Sequence, residues 1–166
     1  YETIPLSIIV TQNMIITVCM QDTPVLHPFM EGTIRGFNTY MKTRFILQIL
    51  YRNATMYLRY LRIIDRESDK LELKLRHSMQ NREILMLLEL SKTLVYFTTS
   101  LKSNEIVMEK LTTLARIKQY PEDEDLLEDV ITENKQAIEM ANIYSGVLAN
   151  MTDAFASIVS NNLNNV

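Results

Sequence analysis

Six carboxylates fall within eight positions at Glu122, Asp123, Glu124, Asp125, Glu128 and Asp129. On a helix, Asp125, Glu128 and Asp129 share one face through their i, i+3, i+4 spacing. Two kinds of chemistry suit this crowding. The first is electrostatic: Pro121 followed by acids is the pattern of a helix N-terminus, whose unpaired amides and dipole favour negative charge. The second is a hard-cation site, because Mg²⁺ takes one or two carboxylates and keeps several of its waters. Crowded carboxylates repel one another, so a cation bridging them to another surface would stabilise that contact. These residues alone leave both readings open.

A second candidate lies further on. From Met140 to Val166 the chain carries one charge, Asp153, and six asparagines, with no proline and a single glycine, Gly146. A solvated helix carries Lys and Glu on its outer face, and a membrane span carries about 20 consecutive apolar residues. This stretch does neither. Asn142, Gly146, Asn150, Asp153, Ser157, Ser160, Asn161 and Asn164 follow steps of three and four, while Phe155, Ile158 and Val159 lie on another side. One reading is a polar seam between helices in which Asn sets register. The other is a ring of identical helices around a wet axis, where oxygen-bearing side chains meet hydrated cations and Asp153 repeats as a charged ring.

Other chemistry finds little support. The chain has no G-x-G-x-x-G, P-loop, H-E-x-x-H or C-x-x-C motif, and His27 and His77 stand far apart. Catalysis is not expected; the histidines read as loop and helix-end polar residues. Cys19 is the only cysteine, so no intrachain disulfide can form; it reads as a small apolar strand residue in a reducing compartment. A net charge of -3 gives no polyanion-binding field, which argues against nucleic acid.

The elements that must position these groups follow from the pattern. At 166 residues one domain with a real core is expected, and three glycines and four prolines leave few helix breakers. Residues 4–10 and 14–20 are rich in Ile and Val around Thr11-Gln12-Asn13, a β-hairpin signal. Nearly every strand position is apolar, so both faces should be covered, either by upstream strands or by the helices and a neighbouring chain. Residues 21–32 read as a connection in which Asp22-Thr23-Pro24 could cap a short helical turn. From about Asn38 to His77, Phe45, Ile49, Met56, Tyr60, Ile63, Ile64 and Leu71 recur at helical steps. Ser78 is a candidate cap for a helix over about 79–117, with a stripe of Ile84, Leu87, Leu88, Leu94, Phe97, Leu101, Val107, Leu111 and Leu114. The third helix opens at Pro121. Its seams are Leu127, Ile131, Ile138, Ala141, Leu148 and Phe155, and beside them Val130, Ala137, Tyr144, Met151 and Ile158. At 1.5 Å per residue it is roughly 60–65 Å long, far beyond an ordinary globular helix. The expected class is α+β and predominantly α: a hairpin, two long antiparallel helices, and a longer stalk helix in a coiled-coil-like bundle. No membrane-spanning run is expected within the chain, which opens at Tyr1 without a leader and reads as part of a longer protein.

Asp153 to Val166 (D-A-F-A-S-I-V-S-N-N-L-N-N-V) resembles the end of the cytoplasmic stalk helix in the CorA family of magnesium transporters, just before the first membrane span. Glu2 to Cys19 (E-T-I-P-L-S-I-I-V-T-Q-N-M-I-I-T-V-C) resembles the closing strand pair of that family's cytoplasmic α/β domain. The order of hairpin, helix pair and stalk fits as well, so the resemblance extends over essentially the whole chain. The family's G-M-N signature would lie beyond Val166.

The resemblance implies three parts: 1–36 from the cytoplasmic α/β domain, 37–120 as an antiparallel helical pair, and 121–166 as a stalk leading to membrane helices. It implies a homopentameric, channel-like transporter of Mg²⁺, or of Co²⁺ or Zn²⁺ in relatives, at the cytoplasmic face of the cell membrane. Asp129 matches the family's regulatory magnesium-site carboxylate, with Asp125 and Glu128 as neighbours. Its acidic partner on the adjacent subunit would lie upstream of Tyr1. Asp153, Ser157, Asn161 and Asn164 take pore- and stalk-lining roles; Asp153 matches the acidic ring and Asn164 a polar residue near the membrane. Near Tyr51-Arg52 some relatives carry a further regulatory carboxylate that this chain lacks. The competing reading is a structural helical adaptor or oligomerisation bundle with no ion chemistry.

Overall fold

A computed structural model describes residues 1–78 and 80–164, the side chain of Asn164 excepted. Strands β1 (Leu6–Val10) and β2 (Ile15–Cys19) pair antiparallel with Leu6 opposite Cys19 and Val10 opposite Ile15. The turn closes on Thr11: its amide donates to the Met14 carbonyl at 2.9 Å, and its hydroxyl accepts the Met14 amide at 3.1 Å. Leu6 and Ile8 face a small cluster around Val25, Phe29 and Ile49. Among the described residues this chain covers only one sheet face, leaving the other to be covered, if at all, from outside it. Ile9, Ile16 and Val18 alternate onto the opposite face and are exposed, as period-two geometry requires when helices lie on one side.

A short helix, α1 (His27–Met30), interrupts the connection. Its N-cap is Leu26, without a side-chain cap; Thr23 instead accepts the Val25 amide through its hydroxyl at 3.3 Å. Three long helices follow: α2 (Lys42–His77), α3 (Asn81–Thr112) and α4 (Pro121–Asn164). A 3-10 turn over Ala115–Gln119 links α3 to α4, and its Ile117 packs with Leu47 and Leu127 to close the base of the bundle. Ser78 does not cap α3. It ends α2, its amide donating to the Lys74 carbonyl, and Gln80 takes the N-cap position of α3. The expected start of that helix at Met79 lies outside the described residues.

Helix α4 lies against both α2 and α3. The buried rows advance in sevens: Leu47, Ala54, Leu61, Ser68 and Leu75 on α2; Leu87, Leu94, Leu101 and Met108 on α3; Leu127, Asn134, Ala141, Leu148 and Phe155 on α4. A seven-residue step averages 3.5 residues per turn, which keeps a stripe facing its neighbours over many turns. Each fully buried Leu in these rows contributes about 1.5–3 kcal/mol. The same spacing explains three departures from the expected stripes. Met108 rather than Val107 continues the α3 row, Leu88 falls off it, and Leu114 lies beyond the helix end; Leu88, Val107 and Leu114 are all exposed. Ile158 is also exposed, just past the end of the buried α4 row at Phe155.

No membrane-spanning run was expected, yet α3 is long and apolar enough to cross a membrane by length and composition. In the fold it contributes Leu87, Leu94, Phe97 and Leu101 to the central core.

Candidate functional site

The first turn of α4 begins with proline, which has no amide to leave unpaired, and three acids that complement the helix dipole. One of them turns inward. Asp123 is only 2% exposed, and its Oδ1 accepts Arg44 Nε at 2.9 Å from the first turn of α2. The remaining acids of the run, Glu122, Glu124, Asp125, Glu128 and Asp129, are exposed.

Glu122, Asp125 and Asp129 line an open pocket of about 420 Å³, facing Arg35, Arg44 and Gln48 across it. Glu128 does not line it, so the structure groups Asp125 and Asp129 with Glu122, one turn earlier. Among the described residues, no three His, Cys, Asp or Glu side chains come together in a way that could hold a metal ion. Within one chain the donors do not form a closed cation site. Glu122, Asp125 and Asp129 form an open face that they share with Arg35 and Arg44.

Several basic residues have structural work that the sequence pattern did not show. Lys42 Nζ donates to the carbonyls of Thr11, at 2.6 Å, and Gln12, clipping the hairpin turn to the start of α2. Arg52 donates to the carbonyls of Val25 and Pro24, each at 3.1 Å, and so anchors the connection beside exposed Tyr51. His27 Nε2 lies 2.8 Å from Asp22, a loop contact, and Cys19 is half-buried at the end of β2 with its Sγ 3.5 Å from the Pro5 carbonyl.

Further along α4, Asn134 is fully buried, and its Nδ2 donates to the Leu101 carbonyl on α3 at 3.1 Å. Its Oδ1 is buried with no hydrogen-bond partner among the described residues. An orphaned acceptor of this kind costs about 1–3 kcal/mol. Periodicity could have found this residue, since it stands seven positions from both Leu127 and Ala141. On the α2 flank, burial raises the Asp65 carboxyl above its ordinary pKa, with Asp69 adding to the effect. Burial also raises the Tyr144 phenol; Asp65 and Asp69 add to that shift and Arg62 opposes it.

The polar stripe of distal α4 lies outside the bundle. Asn142, Gly146, Asn150, Asp153, Ser157, Ser160 and Asn161 are all exposed, on the side away from Ala141, Leu148 and Phe155. The stripe is therefore not a seam between the helices of this chain. The side chain of Asn164 lies outside the described residues.

A hairpin on a helix pair, buttressing one helix of 44 residues with acids at its base and a polar outer stripe whose single charge is Asp153, defines an α+β, stalk-bearing domain. The chain belongs to the CorA family: the family described as CorA-like Mg²⁺ transporter protein matches residues 1–166. It is 31% identical over 125 residues to the cobalt/magnesium transport protein CorA of Methanocaldococcus jannaschii, a match covering 73% of this chain and 38% of that protein. The soluble domain of CorA from that organism superposes with a TM-score of 0.77 at 28% identity, over 89% of this chain and 61% of that one. The complete CorA magnesium transporter structure from the same organism gives 0.76 at 23% identity, over 97% and 56%, and shows the shared fold. The chain thus spans less than two thirds of the length of each of these three relatives.

Proposed function

We propose that this chain is the cytoplasmic regulatory and stalk region of a CorA-like Mg²⁺ transporter, assembled as a homopentamer at the cytoplasmic face of the cell membrane. The observation that carries the reading is the continuity of α4. One unbroken helix bears the exposed acids Asp125 and Asp129 near one end and exposed Asp153, Ser157 and Asn161 toward the other. Asp129 and Asp153 are 24 positions apart, about 36 Å along the axis. A tilt imposed at the base therefore displaces the distal stripe.

Asp129 stands on the open face with Asp125 and Glu122, where an adjacent subunit would supply the surface that the single chain lacks. Acids facing one another across that boundary repel when no cation neutralises them, and the ring loosens. They tolerate close approach when cytosolic Mg²⁺ is high, and the closed, symmetric arrangement is favoured. The effect of the ion is limited by its preference for one arrangement over the other. Asp153, Ser157 and Asn161 present oxygen-bearing groups to a hydrated cation on the common axis, a role the family resemblance extends to Asn164, whose side chain lies outside the described residues. The transported cation is Mg²⁺, with Co²⁺ or Zn²⁺ as alternatives.

The test is cation uptake by the full-length protein in vesicles, comparing Mg²⁺, Co²⁺ and Zn²⁺ at controlled internal Mg²⁺. Asp129→Ala is expected to weaken inhibition by internal Mg²⁺ while leaving uptake intact. Unchanged inhibition removes Asp129 from the sensing role, and failure to transport any of the three ions removes the transporter reading itself.

A further inference from the structure

Asn134 is the one polar member of the buried row Leu127, Asn134, Ala141, Leu148 and Phe155. Its position is poorly explained by stability. Leu would bury there without stranding an amide oxygen, whereas Asn gains one hydrogen bond, from Nδ2 to the Leu101 carbonyl at 3.1 Å, and leaves Oδ1 unpartnered among the described residues. Rows of apolar residues repeating every seven positions are also nearly self-similar, so α4 displaced by a turn or a heptad would still bury much of its surface. A single polar residue in such a row breaks that degeneracy, because a displaced alignment loses the one hydrogen bond that offsets its burial.

We propose that Asn134 is a positioning residue that sets the axial register of α4 against α3, and that it holds the acidic base of α4 at a fixed height in the bundle. The inference rests on the reading of Asp129 as the sensing carboxylate. Asn134 bonds to α3, across 33 positions of sequence, and Asp123 bonds to α2 through Arg44, across 79. The two anchors stand eleven positions apart on α4, about 16 Å, and Asp125, Glu128 and Asp129 lie between them. A slip by one turn separates the Asn134 amide from the Leu101 carbonyl and moves Asp123 off Arg44. It also carries Asp129 about 5.4 Å along the axis, away from any surface built to meet it.

The test uses the full-length protein with all other cysteines, Cys19 included, replaced by serine. Spin labels are placed at exposed Lys102 on α3 and Lys135 on α4, and labelled subunits are diluted into unlabelled ones. With Asn134 present, one narrow distance is expected. Asn134→Leu should broaden it or add a population displaced by about one turn, roughly 5.4 Å, and shift the Mg²⁺ midpoint for closure by about fivefold or more. Asn134→Gln, which keeps the amide donor, should retain more of the single population than Asn134→Leu does. A narrow, unmoved distance in Asn134→Leu overturns the proposal. If the distance spreads while Asp129→Ala leaves the Mg²⁺ response unchanged, the register assignment stands and the sensing role of Asp129 falls.

Discussion

Arg44 and Asp123, 79 positions apart, meet at 2.9 Å where the first turns of α2 and α4 cross the base of the bundle. Asp123 is 2% exposed and Arg44 24%, so this pair is shielded in a way that the two exposed i, i+3 and i, i+4 pairs on α2, Lys70–Glu67 and Arg76–Glu72, are not. It ties down the end of α4 that bears the exposed acids, and it takes one carboxylate out of that group.

Breaking the pair from one side should be costly. Asp123→Ala leaves a partly buried guanidinium without its bonded carboxylate, and the expected loss is about 3 kcal/mol, the lower end for a broken buried pair because Arg44 retains some solvent contact and lines a pocket with Glu122, Asp125 and Asp129. The double variant Arg44→Met/Asp123→Leu should recover most of that loss, since apolar replacements of similar volume can match a buried pair. Urea unfolding of the single and double variants measures both. Equal losses in the two would show that Asp123 acts through packing and not through its charge.

The sequence made the fold's outline legible because long helices announce themselves repeatedly. The steps through Leu87, Leu94 and Leu101 and the Pro121-acid start of α4 survive any error at a single position. Its limits have physical causes. Asp123 looks like its neighbours in one dimension, and only its partner far upstream turns it inward. Asn134 is hidden in the sequence because an amide side chain carries no apolar signal, although the seven-residue spacing places it in the row. Ser78 has the chemistry of a cap, but it closes α2, and α3 begins at Asn81, which leaves the cap position to Gln80. The hairpin's alternating burial was hidden because both of its faces are apolar, which leaves no pattern to reveal the side lacking cover.

Gly146 sits on the exposed side of α4, and a Cβ built there meets nothing within 4 Å. Neither close approach nor a positive φ explains it. Gly146→Ala should therefore stabilise the domain by about 0.5–1 kcal/mol through backbone entropy alone. A melting temperature that stays the same or falls would contradict this entropic account.

Tyr57 offers a check on burial by pH. Its ring lies edge-on to Phe97 at a centroid distance of 5.0 Å, and burial raises its phenol above the ordinary value of 10.0, with a hydrogen bond to Ser100 opposing the shift. Above about pH 10 the unfolded chain loses this proton before the folded chain does, so the contribution to stability is complete below that pH and declines as pH rises through the folded value. Tyr57→Phe has no such proton. The stability of the parent relative to Tyr57→Phe should fall as pH rises above about 10 in thermal melts, and parallel curves would contradict the shift.

Asp153 is the only charged residue between Met140 and Val166, and it is exposed on the outer stripe of α4. Solvated positions of this kind contribute within about 0.5 kcal/mol to folding, so Asp153→Asn should leave the unfolding midpoint nearly unchanged. Transport should respond differently. If five copies face a common axis, the substitution removes five negative charges from one ring, and hydrated Mg²⁺ loses the field that concentrates it at the mouth of the pore. Uptake in vesicles should drop about tenfold at low external Mg²⁺ and recover toward the parent rate at saturating Mg²⁺, because a lost electrostatic attraction can be offset by concentration. Asp153→Lys, which reverses the field, should abolish uptake at both concentrations. An Asp153→Lys protein that folds and still transports at the parent rate would place this residue away from the ion path and leave the charge without a role in permeation.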